Sequence, residues 1–314
     1  PYSLKELRAL LVANSHGRNS TVGQKRQVVY LDTYLTNIGC KTIVLEPHYV
    51  DRGFLEDYAA YYVRCFESYS RTCARLHFFS EDMSSEQIGA AISAPDKDAL
   101  QASYLGFLVI KPLPLTVIGR TCLLPYGTED GRERNFPTLQ RQKANFFGID
   151  LIVRTLPFQE QDKDVAACAS SALWSVLHST ARIFQHAILS PVEITKAAAA
   201  HSRLDERTLP NGSGLTTLQI ADAIRSVGLE PLGVGVSSLK RSEDDDQIAE
   251  TDGDGADRER EGSKGAVEKE RAAEKQAELK IAAMAYLRSG LSCLLLSRVS
   301  QIEGGETVVR GHHA

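Results

Sequence analysis

The spacing of apolar residues along this chain switches several times between helical and extended periods. Over residues 1 to about 150, helical spacing predicts helices at Leu4 to Val12 and Gln24 to Asn37, followed by a strand at Thr42 to Leu45. Between Phe54 and Phe66 the residues Leu55, Tyr58, Tyr62 and Phe66 recur at helical intervals, which predicts one aromatic face turned to a core. Asp57, Arg64 and Glu67 then fall on the solvated side of that helix. Short β-rich runs come next, at Leu76 to Phe79, Tyr104 to Ile110, Thr121 to Leu124 and Asp150 to Val153, divided by Pro, Gly and Asp. Lys111-Pro112-Leu113-Pro114 stops one of them, because proline donates no ladder hydrogen bond. The first 155 residues therefore read as a mixed α/β unit, a small sheet flanked by helices.

The pattern changes at Leu156-Pro157-Phe158, where a Gln/Asp-rich turn leads into Val165 to Phe184, a helical run of small and apolar residues. This divides the chain into residues 1–155 and 156–314. Ser190 and Pro191 form a cap and first helical position for a helix reaching His201. Another helix is expected from Thr217 to Val227, ended by Gly228. From about Ser237 to Gly265 large apolar side chains are nearly absent, so the segment cannot bury enough surface to offset its ordering entropy, and a disordered acidic insertion is expected. Helical spacing returns between Ala266 and Gly290. Leu291 to Leu296 and Glu306 to Ala314 read as closing strands. The fold class expected for the whole is α/β in the α+β sense, with a helical subdomain and a small antiparallel sheet in the second part.

Composition narrows the function classes. The net charge of −4 gathers mostly in Lys240 to Glu261, and the remainder is near neutral, which offers no nucleic-acid surface. No run of about 18 apolar residues is present to span a membrane. Six cysteines without any C-x-x-C pair argue against a zinc cage or a disulfide framework and fit a reducing, cytoplasmic setting. No phosphate loop or dinucleotide turn occurs, and no metal or organic cofactor is implied. The oligomeric state is not encoded in any visible pattern.

One constellation carries chemistry. A thiol attacks a carbonyl as thiolate, which a helix N-terminus and a nearby imidazolium both favour. Cys168 falls three to four residues into the helix expected from Val165, among small neighbours that leave room for a substrate backbone. Gln161, seven residues upstream, is placed to donate to an oxyanion beside the Cys168 amide, with Gln159 as the alternative donor. A Gln, a short acidic turn, then Cys-Ala and a helix containing Trp174 resembles the papain-like cysteine peptidases, and most closely their bacteriocin-processing-type domains. The resemblance covers roughly the second half of the chain. It implies a base histidine at a distant strand in a Gly-His-Ala setting, which Gly311-His312-His313-Ala314 supplies, so that Cys168 is the nucleophile and His313 the base. It also implies an Asp or Asn after the histidine to orient it, and the sequence ends one residue past His313.

Each residue has a plainer reading as well. A lone Cys in an Ala-rich helix is usually packing, and His312 and His313 have a lesser reading as an exposed tail after the strand run Glu306 to Arg310. His178 and His186 lie too far along the helix to serve Cys168. His77, flanked by aromatics, reads as a satisfied core residue, and Lys111 and Arg120 as ordinary surface charge. The resemblance points to a protein or peptide substrate. Its rivals are a peptidase-like binding module without catalysis and an acyl transferase using the same Cys-His pair.

Overall fold

A computed structural model describes residues 1–94, 97–127, 134–162, 167–200, 214–234, 274, 276–303 and 306–313, the last two segments from residue 297 onward as backbone. The expected acidic insertion lies outside the described residues. Helices and antiparallel sheets are both present, and the class is α+β.

The centre is a four-stranded antiparallel sheet in sequence order, β1 (Thr42–Tyr49), β2 (Cys73–Phe79), β3 (Tyr104–Ile110) and β4 (Ile118–Leu123). Strands β2 and β3 are buried along their whole length, which is why both read as nearly continuous apolar runs rather than alternating ones. One face, carrying Leu76, Phe78, Leu108 and Ile110, packs against Leu7 and Leu11 of α1 (Leu4–Ser15) and Leu31 and Leu35 of α2 (Arg26–Asn37). The other, carrying Phe79, Phe107 and Val109, is covered by α3 (Arg52–Ala60), α5 (Lys97–Ser103) and a β-hairpin, while α4 (Ser85–Ser93) lies at its margin. Phe78, Phe79 and Phe107 are each almost wholly buried, worth ~2–3 kcal/mol apiece in removed apolar surface.

Gly106 bulges β3. Its φ is +124°, and a Cβ there would sit 2.0 Å from the Cys122 carbonyl oxygen, so no side chain fits. The hairpin on the second face joins β5 (Gln140–Phe146) to β6 (Ile149–Thr155) through Phe147 and Gly148, both with positive φ, the signature of a two-residue primed turn.

Beyond the sheet, α6 (Cys168–Phe184), α7 (Pro191–Ala198) and α8 (Thr217–Ser226) share a core of Leu173, Trp174, Leu177, Ile194, Ile220 and Ala223. Ser190 caps α7 in a reciprocal box with Glu193, and Pro191 takes the first helical position, as the sequence requires. Among the described residues a further helix, α9 (276–288), stops at Gly290 with φ +80°. A closing antiparallel hairpin pairs β7 (Ser297–Glu303) with β8 (Glu306–His313).

Three expectations are corrected. The aromatic helix ends at Ala60, so Phe54, Tyr58 and Tyr62 face the core while Leu55 and Phe66 are exposed. Residues 291–296 form no strand, and Cys293, Leu295 and Leu296 lie at the surface. The helix expected from Val165 begins at Cys168, with residues 163–166 outside the described set.

Candidate active site

Cys168 is the first residue of α6, a 17-residue helix whose N-cap, Ala167, offers no side-chain acceptor to the first turn. The start of the helix carries the positive end of its dipole. The thiol is half-buried, and the residues behind it, Ala169, Ser170 and Ser171, are small and buried. Ser170 shares a hydrogen bond of 2.9 Å with Thr195, seating the first turn of α6 on α7.

The other cysteines differ in setting. Burial pushes the thiols of Cys40, Cys73 and Cys122 up to about 12, which keeps them protonated and inert. Cys65 and Cys293 are more accessible, but neither opens a helix.

The segment entering α6 is held along the sheet edge. Phe158 and Thr121 exchange both backbone hydrogen bonds, at 2.8 and 3.1 Å, extending the sheet past β4. Two residues on, Glu160 N donates to Ile118 O at 2.9 Å, its carboxylate accepts from Ile118 N at 3.1 Å, and it pairs with Lys25. Asp162 accepts a hydrogen bond of 2.9 Å from the Tyr62 hydroxyl. Gln161, between two anchored neighbours, has an exposed side chain, whereas the Gln159 amide nitrogen is buried without a hydrogen-bond partner.

His313 is the last residue of β8, its backbone opposite Ser297, and its side chain lies outside the described residues. Cys168 and Trp174 lie on the same helix, and the side chains of His312 and His313 are outside the described residues. His178, about three turns farther along α6, is buried with its ring 4.2 Å from that of Trp174, and its Nδ1 donates to the Trp174 carbonyl at 2.8 Å. Burial lowers its pKa to about 4, so it is a neutral packing residue.

Sequence reasoning misassigned the charges behind α6. Asp57, expected on a solvated face, is buried and accepts a hydrogen bond of 3.1 Å from Val192 N at the start of α7. Burial raises its carboxyl to about 7, against the pull of the Val192 N–H and of nearby Lys111. Lys111 is likewise buried. Arg120 lies with Nη2 at 2.9 Å from both the Tyr49 hydroxyl and Asp51 Oδ2, the second contact lacking hydrogen-bond alignment. These four charged residues, with Gln159 and Trp174, surround a cavity of about 10 Å³, room for a single water. The available signal was an Arg or Lys inside or directly after an apolar strand run, where alternation turns alternate side chains inward.

A second polar cluster sits deeper. His77 is buried, with Nδ1 3.0 Å from the Tyr104 hydroxyl and Nε2 3.2 Å from Glu46. Burial lowers the pKa of His77, so the neutral ring donates from Nε2 to the carboxylate and accepts at Nδ1 from Tyr104. Although burial pushes the other way, hydrogen bonds from His77 and Arg75 hold Glu46 below the usual carboxylate range. This is the satisfied core histidine that its aromatic neighbours predict.

Among the described residues no group of three or more His, Cys, Asp or Glu is disposed to hold a metal, and no helix is long and apolar enough to cross a membrane. Comparison with known proteins adds no relative, since no family model, curated protein or solved structure matches the chain.

Proposed function

We propose that the chain is a cysteine peptidase that hydrolyses peptide or isopeptide bonds in a protein or peptide substrate, working in a reducing compartment such as the cytoplasm. The observation that carries the proposal is the half-buried Cys168 thiol at the first residue of a long helix, backed by small side chains and approached by a segment hydrogen-bonded to the sheet edge.

In this reading the Cys168 thiolate attacks the substrate carbonyl carbon while the Cys168 amide and Gln161 hold the oxyanion. The C–N bond breaks, His313 passes its proton to the departing amine, and a thioester remains. Water, losing a proton to His313, then attacks the thioester carbonyl, the C–S bond breaks, and the acid departs with the thiolate and protonated His313 restored. Gln159 is the alternative oxyanion donor, and its buried, partnerless amide nitrogen favours it as a polar group awaiting an acceptor.

The test uses iodoacetamide at about pH 6, with labelling sites read by mass spectrometry. Cys168 should alkylate about tenfold or more faster than Cys293, and His313→Ala should erase most of that difference. Equal rates at the two cysteines overturn the activated-thiolate reading. Product mass separates hydrolysis from acyl transfer, because hydrolysis adds water to the acyl fragment and transfer adds the amine.

A further inference from the structure

A larger concavity, of about 670 Å³, opens between α2, the outer edge of β4 and the segment that runs toward α6. Its volume lies inside the range of roughly 300–1,000 Å³ typical of small-molecule sites. The walls are aromatic from three separate parts of the chain: Tyr30 and Tyr34 from α2, Tyr126 and Phe136 from the loops after β4, and Phe158 from the edge segment. Tyr34 and Tyr126 meet edge to face at 5.4 Å, and the Tyr34 hydroxyl donates to the Leu124 carbonyl at 2.7 Å, so this wall is fixed in place. Tyr30 and Phe158 nonetheless expose 64% and 41% of their surface. Large rings left open around one hollow are what an apolar ligand site requires.

Among the described residues that line the hollow, one charge is left over. Glu160 is engaged by Lys25 and by the Ile118 amide, so its carboxylate is neutralised. Arg26 also lines the hollow, and its exposed guanidinium has no hydrogen-bond or ion-pair partner among the described residues. One planar fork of donors matches one carboxylate.

We propose that this hollow binds a small-molecule monocarboxylate with an aromatic body, its ring among Tyr30, Tyr34 and Phe158 and its carboxylate on Arg26. Cys168 is not part of the wall, so the site stands whether or not that thiol is a nucleophile.

The test is calorimetric titration of the whole chain with 4-phenylbutyrate and with its uncharged amide. The acid should bind saturably and about tenfold more tightly than the amide. Arg26→Gln should weaken the acid about tenfold and leave the amide unchanged. Phe158→Ala should weaken both, while Phe66→Ala, a fully exposed position away from the hollow, should weaken neither. Unchanged circular dichroism and melting temperature confirm that each variant is folded. Absence of saturable binding to the wild type, equal affinity for acid and amide, or indifference of the acid to Arg26→Gln overturns the proposal.

Discussion

Replacing Asp57 with Asn should make the protein more stable in mild alkali and less stable in acid, and the reversal follows from burial. A carboxyl raised from its ordinary 3.8 to about 7 holds its proton roughly three powers of ten more tightly when folded, or ~4 kcal/mol at 1.36 kcal/mol per power of ten. Between those two values the folded chain binds more protons than the unfolded one, so stability falls as pH rises through the window. The loss is complete above about 7 and absent below 3.8.

Asparagine keeps an oxygen for the Val192 amide and removes the charge, but its NH₂ group enters a buried site without an evident acceptor, at about 1–3 kcal/mol. The balance is a gain of ~1–3 kcal/mol near pH 8, turning to a loss of similar size below 3.8, where wild-type Asp57 is protonated in both states. Urea denaturation at several pH values reads this out. The single tryptophan, Trp174, is buried beside the same cavity and supplies the fluorescence signal. A stability difference between Asp57→Asn and wild type that stays constant from acid to mild alkali would refute the reasoning, because it would mean that Asp57 titrates alike in both states.

The remaining expectations are simpler. Gly106→Ala forces a side chain against the Cys122 carbonyl at positive φ, so a loss of ~3 kcal/mol or more should appear as a lower urea midpoint or insoluble expression. Tyr104→Phe removes the donor to buried His77 Nδ1 and should cost about 1–3 kcal/mol by the same denaturation assay. Cys40, Cys73 and Cys122, whose thiols burial pushes to about 12, should resist Ellman's reagent near pH 8 until urea unfolds the chain, and fast reaction at any of the three in the native state contradicts their burial.

What the sequence disclosed depended on whether burial was one-sided or complete. Tyr104 to Ile110 was legible to its boundaries because both faces are buried and the run is continuously apolar. Gln140 to Phe146 escaped notice because only Ala144 and Phe146 turn inward, leaving Gln140, Arg141, Gln142 and Lys143 to read as loop. The small residues around Cys168 were legible as part of a helix, yet the helix start was misplaced, since the run of small and apolar residues extends back to Val165 whereas the helix begins only at Cys168. The buried charges were missed for a different reason. Asp57 and Arg120 are inward-facing because a second layer covers them, and α7 and the edge segment that form it are distant in sequence from both.

That second layer gives the first half of the chain a physical role in any chemistry at Cys168. A catalytic thiol depends on sub-ångström placement of the donors around it, and the segment carrying Gln159 and Gln161 has no helix or hairpin of its own to supply rigidity. It gains rigidity from outside: from Thr121 through Phe158, from Ile118 and Lys25 through Glu160, and from Tyr62 through Asp162. The helical core is tied in from the other side, where Asp57 holds the start of α7, whose Thr195 meets Ser170 in the first turn of α6. Both the approach to Cys168 and the floor beneath it are therefore positioned by the four-stranded sheet and its aromatic helix, so a defect in that sheet should reach the thiol before it reaches the far end of α6.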